Sequence, residues 1–258
     1  MLNYDTNPSR SIRKDVIRHY DAMATDYTRL YGGRSRLSRF YNVRHDRVLS
    51  LVGSALSKKQ VLEVGCGPAQ LAEAIVQRGG RYVGVDLSSE MVRNSKIRHS
   101  AVPRADFLVG DLCGLPFPSE TFDVVICLGV LEYVESEASA VSEIARILRP
   151  GGICLASGIN PWSPYNLWDR LIYRHMGGRK PKAILAEYHT PRVYRDLFGD
   201  VGLASKDVSF FNFVLLPPPL DRKLPWLAAS CDQLLGRLLG RILPTLGNGF
   251  LMKFESNH

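Results

Sequence analysis

The sequence predicts an α/β protein with a doubly wound, mostly parallel sheet, and three observations carry that prediction. Beyond residue 57, apolar runs of strand length alternate with segments of helical period. Glycines and aspartates fall where those runs end. The 56 residues before the first run show helical period alone.

Taken in order, "SIRKDVIRHYDAMATDYTRLY" places Ile12, Val16, Tyr20, Met23 and Tyr27 at three- and four-residue intervals, one face of a helix. A second helix is expected over 40–56. Residues 1–56 then form a helical N-terminal lid, and 57–258 the main domain. In that domain "QVLEVG" (60–65) reads as a buried strand, followed by a helix over 70–77. "RYVGVD" (81–86), "ADFLVGD" (105–111), "FDVVICLG" (122–129) and "GGICLAS" (151–157) are the next strands. Helices over 89–100 and 137–148 join them as right-handed crossovers, which cover both sheet faces. Two segments interrupt the alternation, 159–189 and 217–247. Between them lie a helix over 191–201 and a strand in "SKDVSFFNFVLL", and "GFLMKFE" (249–255) closes the sheet.

A chain of 258 residues with 45% hydrophobic and 22% charged residues can bury a sizeable core, which excludes disordered and fibrous classes. No apolar stretch approaches the ~20 residues of a bilayer span. The opening "MLNYDTNPSRSIRKD" has charge without an apolar run behind it, so no secretory leader is expected. Five scattered cysteines, Cys66, Cys113, Cys127, Cys154 and Cys231, contain no CxxC pair. They argue against a disulfide scaffold or zinc ribbon and for a reducing, cytoplasmic compartment. The net charge of +8 divides into +5 over residues 1–50, −2 over 51–158 and +5 over 159–258. Basic flanks around an acidic centre suit an anionic partner, or solubility alone.

In open parallel sheets ligands bind beyond the carboxyl ends of the strands. The first strand ends in "EVGCGPAQ", where Gly65 and Gly67 let backbone approach a ligand closely. Asp86, nineteen residues past Gly67, can accept both hydroxyls of a ribose, and Asp111 ends the third strand where an acid suits a purine amino group. That is a nucleoside crevice. A dinucleotide loop would need a third glycine where Gln70 stands, and the carboxylate of Glu63 beside the loop suits a cationic ligand better than a pyrophosphate. A nicotinamide oxidoreductase is therefore disfavoured.

The segments "VLEVGCGPAQLA", "VGVDLS", "GDLCGLPFPSETFDVVICLGVLEYV" and "LRPGGICLAS" resemble, in order and spacing, the motifs of the class I S-adenosylmethionine-dependent methyltransferases, small-molecule type. The resemblance covers about residues 60–158. It implies a Rossmann-like sheet of seven strands with the last antiparallel, and S-adenosylmethionine as cofactor. By the same resemblance Gly65, Cys66 and Gly67 border the methionine part of the cofactor, and Glu63 orients that loop or the ammonium group. Asp86 holds the ribose, Leu87 and Met91 pack near the adenine, Asp111 and Leu112 flank its edge, and Leu128 lies under the methionine chain. Where the family often has a third glycine this chain has Ala69, whose methyl is expected to narrow the crevice slightly. "HYDAMATDY" is similar to the lid helix of quinone-pathway methyltransferases. Arg44, twenty-one residues before Gly65, is either a partner for the cofactor carboxylate or a solvated helix charge.

The expected activity is methyl transfer to a small, lipophilic or anionic metabolite at oxygen or carbon. An RNA or protein methyltransferase, and a non-catalytic cofactor-binding partner subunit, are the alternatives. No nucleic-acid module and no metal-ligand set is visible. His189, before the helix at 191–201, is the leading general-base candidate, with His19, His175 and Glu132 behind it. Tyr20 and Tyr27 on the lid, and Trp162, Tyr165 and Trp168 in the first insertion, are expected to face the acceptor. Tyr173, Arg170 and Arg174 interleave with that insertion's aromatics. In the second insertion, residues 231–243 form a basic amphipathic stripe that suits core, a dimer interface or an anionic membrane surface.

Overall fold

The computed structural model of the chain describes residues 8–32, 36–53, 56–168, 171, 188–214, 223 and 242–257. Helices α1 (Pro8–Gly32) and α2 (Arg36–Val52) precede the sheet. Val16 of α1 is buried and Tyr20, Met23 and Tyr27 half-buried, four of the five positions of the predicted stripe, and Ala24 is buried beside them. α2 begins and ends four residues earlier than its pattern predicts. Gly53 follows it with φ +91°, a left-handed stop that only glycine adopts without strain, and Leu56 is buried beyond the helix.

The strands β1 (Gln60–Val64), β2 (Arg81–Asp86), β3 (Ala105–Val109), β4 (Phe122–Leu128), β5 (Leu148–Ile159), β6 (Leu203–Phe211) and β7 (Gly249–Ser256) form one sheet in the order β3-β2-β1-β4-β5-β7-β6. β7 is antiparallel to both its neighbours, and the other described pairs are parallel. The predicted seven-stranded Rossmann-like sheet with an antiparallel last strand is what forms. Period-two alternation divides β4 between two cores. Val125 and Cys127 join the cluster that includes Ile144, Phe198 and Phe254, whereas Val124, Ile126 and Leu128 join Val48, Ile75 and Phe211 on the other face.

The crossovers are capped as their sequences dictate. Helix α4 (Ser89–Arg98) starts at Ser88, whose hydroxyl accepts from the Met91 amide, and α5 (Glu137–Ile147) at Ser136, which accepts from Ser139. In α7 (Pro191–Gly199), Thr190 caps and Pro191 occupies the first turn. Helix α3 is shorter than predicted, Ala72–Gln77, because Ala69 takes a left-handed φ of +51° and the chain completes a tight turn first. β6 ends at Phe211 rather than running on, because Asn212 turns the chain at φ +58°. β5 is longer than predicted, reaching back to Leu148 through an irregularity opposite Phe122 and Val124.

The N-terminal helices lie across the carboxyl ends of the strands. α1 packs on α4 and on the 3-10 turn Leu131–Tyr133, and α2 on β6 and β7. Asp21 fixes that docking: its Oδ1 accepts from Ser88 Oγ at 2.5 Å and from the Glu90 amide at 3.2 Å. Of the first insertion, α6 (Pro164–Trp168) is described, and Asn160 ties its start to the second insertion through bonds to the carbonyls of Thr245 and Gly247, both 2.8 Å. No described helix is long and apolar enough to cross a membrane.

Candidate active site

Strand order reverses between β1 and β4, and a cleft opens at that switch point, as the fold requires. The loop after β1 carries Gly65 (φ +63°) and Gly67 (φ +50°), both left-handed. A side chain on Gly65 would collide with Val130, its Cβ falling 2.2 Å from a Val130 methyl. The Gly67 amide donates to Asp86 Oδ2 at 2.8 Å and the Ser88 amide to Asp86 Oδ1 at 2.9 Å. The carboxylate keeps acceptor capacity for a hydroxyl beyond these two amides. Burial raises Asp86 above its ordinary value, opposed by the amides of Ser88 and Gly67, so ligand hydroxyls would find a carboxylate short of solvation.

Glu63, at the penultimate position of β1, is buried under this loop and accepts from the Tyr82 hydroxyl at 2.6 Å. Burial pushes its carboxyl from the ordinary 4.5 up to about 7, with Tyr82 and Arg44 opposing. Cys66 is buried, with Sγ 3.7 Å from the Gly67 carbonyl, and burial pushes its thiol well up. It packs; it is no thiolate nucleophile. At the end of β3, Asp111 accepts from the Cys113 amide at 2.9 Å and pairs with Arg13 of the lid at 3.1 Å.

Arg44 is 7% exposed, which removes the solvated-charge reading. Its guanidinium lies against Phe40 and Tyr41 (5.8 and 5.1 Å to the ring centroids) and over the backbone of Gly129. Its Nε is buried and has no hydrogen-bond partner among the described residues. Beside it, burial lowers His45 to about 3, with Arg44 adding to the effect, so this imidazole stays neutral.

One cavity of about 1090 Å³, counting its open mouth, is walled by every residue the sequence assigns to the cofactor: Arg44, Glu63, Gly65, Cys66, Gly67, Asp86, Leu87, Met91, Asp111, Leu112 and Leu128. Tyr20 and Tyr27 of the lid line it as well, with their rings edge to face at 6.0 Å and Tyr20 against Tyr133 at 5.9 Å. Three expectations need correction. Ala69 does not narrow the crevice, because it is fully buried in the core behind the loop and outside the cavity wall. His189 does not reach the cleft, since its Nε2 lies 2.6 Å from Glu137 Oε1 at the start of α5. Trp162 is 62% exposed, and neither it nor Tyr165 nor Trp168, expected to face the acceptor, lines this cavity or the one beside it, because the bonds of Asn160 and Ser163 turn this segment toward Asn248. Arg170, Tyr173, Arg174, His175, Cys231 and all but the last two positions of the 231–243 stripe lie outside the described residues.

Sequence reasoning passed over Arg13, Asp21, Gly129 and Tyr133. Gly129 and Tyr133 follow the end of β4, so the strand-end rule that found Asp86 applied to them too. Arg13 shares the face of α1 that carries Val16, Ile17 and Tyr20, with Asp21 at its flank, and nothing in the sequence marks their partners.

The cavity suits S-adenosylmethionine on the structure's own terms. Its loop has no side chains to block approach at Gly65 and Gly67, Asp86 has spare acceptor capacity, and Arg44 offers a buried guanidinium whose Nε is unpaired among the described residues.

A family model described as a methyltransferase domain matches residues 62–156. A ubiquinone biosynthesis O-methyltransferase of Psychrobacter arcticus is 35% identical over 188 residues, 69% of this chain and 69% of that protein. A probable S-adenosylmethionine-dependent methyltransferase of Mycolicibacterium smegmatis is 36% identical over 117 residues, 45% of this chain, so the chain spans only 44% of that relative's length. Among solved structures, the magnesium protoporphyrin IX methyltransferase of Synechocystis with bound SAH superposes with a TM-score of 0.66 at 18% identity, over 93% of this chain and 98% of that one. Fold, motif order and these relatives agree: the chain belongs to the class I S-adenosylmethionine-dependent methyltransferases.

Proposed function

We propose that the protein transfers a methyl group from S-adenosylmethionine to a small, largely apolar acceptor at oxygen or carbon. The observation that carries this reading is the joining of two chambers. A second cavity shares Tyr20, Tyr27, Arg44, Leu128, Gly129 and Tyr133 with the cleft, so one wall of residues serves both. Its remaining lining is mainly apolar and aromatic, and α1 and α2 cover it, which suits a small molecule better than a nucleic acid or a protein surface.

In this reading Asp86 holds the ribose hydroxyls, while Leu87, Met91 and Leu112 provide an apolar slot for the adenine, edged by Asp111. Arg44 pairs with the carboxylate of the methionine part, and its buried position strengthens that pairing. When bound, the cofactor supplies a methyl carbon made electrophilic by a sulfonium. What the chain adds is alignment, and positioning of that kind can lower a barrier by roughly 7–11 kcal/mol. Asp21 and Arg13 hold α1 across the cleft, so the lid excludes water from the reacting groups.

The test has two arms. Calorimetry with S-adenosylhomocysteine should show binding to the purified protein. Incubation of a metabolite extract with labelled methyl donor, followed by mass analysis, should give a product heavier by one methylene. Binding without any methylated product would favour the non-catalytic partner subunit, and label recovered in RNA or protein would favour the macromolecular alternative.

A further inference from the structure

The second cavity holds a group that the cofactor reading leaves unused. Glu132 sits on the turn Leu131–Tyr133 directly after β4, four residues beyond Leu128, and lines this chamber. It is 6% exposed, and among the described residues neither carboxylate oxygen has a hydrogen-bond partner. A buried carboxylate left in that state is costly unless something else satisfies it. Burial pushes Glu132 from its ordinary 4.5 up to about 7, against the opposing influence of the nearby amides of Glu132 and Ile159 and of Arg44. Around it stand Tyr20, Tyr27, Phe40, Tyr41 and Tyr133, with Ser157, Gly158 and Ile159 of β5 closing one side.

Resting on the methyl-transfer reading, we propose that this chamber takes a flat, ring-bearing acceptor with a hydroxyl group, and that Glu132 receives the hydroxyl proton as the methyl is transferred. Flat walls of aromatic side chains select a flat apolar body. The unpartnered carboxylate selects a donor. Of the two common donors, an ammonium is disfavoured by the Arg44 guanidinium, which lines the same chamber; a neutral hydroxyl meets no such repulsion.

In the step itself, the acceptor O–H bond breaks and its proton passes to a Glu132 oxygen. The electron pair left on the acceptor oxygen forms the new bond to the methyl carbon. The carbon–sulfur bond breaks, and sulfur keeps that pair as a neutral thioether. Proton and charge balance without another reactant, and Glu132 later releases its proton to solvent. His19 lines the same chamber but sits on the lid, with its ring against Tyr20 at 5.2 Å. It is the rival base.

The experiment compares equilibrium binding of 4-ethylphenol, which stays un-ionised near neutral pH, and of its methyl ether, 4-ethylanisole, to the full chain saturated with S-adenosylhomocysteine. Wild type is expected to prefer the phenol by about tenfold or more, the scale of a hydrogen bond to a charged acceptor. Glu132→Gln and Glu132→Ala should reduce that preference to within about threefold, with S-adenosylhomocysteine affinity unchanged. His19→Gln should retain it. If the larger substitution fails to fold, Glu132→Gln keeps the volume and carries the result. A wild type without the preference, variants that keep it, its loss in His19→Gln instead, or tighter binding of benzylammonium than of the phenol would each overturn the proposal while leaving the methyl-transfer reading intact. Failure of wild type to bind S-adenosylhomocysteine would overturn both.

Discussion

The Gly67 amide donates to Asp86 Oδ2 at 2.8 Å, so the glycine loop after β1 and the acid that ends β2 are one hydrogen-bonded unit. The parallel pairing of β1 with β2 brings them together, although nineteen residues separate them. A ligand that binds Asp86 therefore also reads the shape of the loop.

Asp86→Ala should weaken S-adenosylhomocysteine by about 1.5–3 kcal/mol, through loss of hydrogen bonds to a charged acceptor. It should also lower the melting temperature, because the Gly67 and Ser88 amides both lose their partner. Unchanged affinity by calorimetry would remove Asp86 from the site.

Gly129 has φ +68°, and a Cβ there would lie 3.1 Å from Arg44 Nη1. Gly129→Ala is expected to destabilise the fold by about 1–3 kcal/mol in urea unfolding and to weaken S-adenosylhomocysteine by displacing the guanidinium. Gly53 is also left-handed, at φ +91°, but has open space around it. Gly53→Ala should show the strain alone, with ligand affinity kept.

Glu63 and Glu132 both rise from 4.5 to about 7. The folded chain thus binds these protons more tightly than the unfolded one, and stability falls as pH rises from about 4.5 to about 7, then levels. His45, lowered to about 3, acts oppositely below about 6.5. Comparing Glu132→Gln with wild type cancels the other groups: the variant should gain in relative melting temperature across that window and keep its gain at pH 8. A constant difference from pH 5 to pH 8 would show that Glu132 does not titrate there.

Tyr82→Phe removes the 2.6 Å donor to Glu63 and leaves a buried carboxyl oxygen without it. A loss of about 1–3 kcal/mol is expected in denaturant unfolding. Because Glu63 also walls the cleft, S-adenosylhomocysteine binding should become more sensitive to pH near 7.

His189→Ala should leave S-adenosylhomocysteine affinity unchanged while lowering the melting temperature by a few degrees, since the imidazole is paired with Glu137 rather than facing the cleft. A large loss of ligand affinity would mean that α5 and the cleft are coupled.

Most strands were readable because burial on both faces gives continuous apolar runs, as in "VVICL" of β4, and glycine or aspartate punctuates their ends. Three of the misplaced boundaries, at Gly53, Ala69 and Asn212, sit where one left-handed residue redirects the chain. A left-handed alanine is invisible to composition, because its side chain favours helix. Arg44 was ambiguous for a related reason: helical period puts it on α2, but only the sheet beneath decides whether that face is wet.

By itself the sequence determined the succession of strands and helices and the placing of Gly67, Asp86 and Asp111 at strand ends, since these follow from local periodicity and turn chemistry. Tertiary structure alone decided which side chains meet. It buried Arg44 over Gly129, drew His189 onto Glu137, clamped Asp21 to Ser88 and set Glu132 in the wall of the aromatic chamber. Those contacts join elements far apart along the chain, and their partners are chosen by crossover geometry and lid docking, which no local pattern encodes.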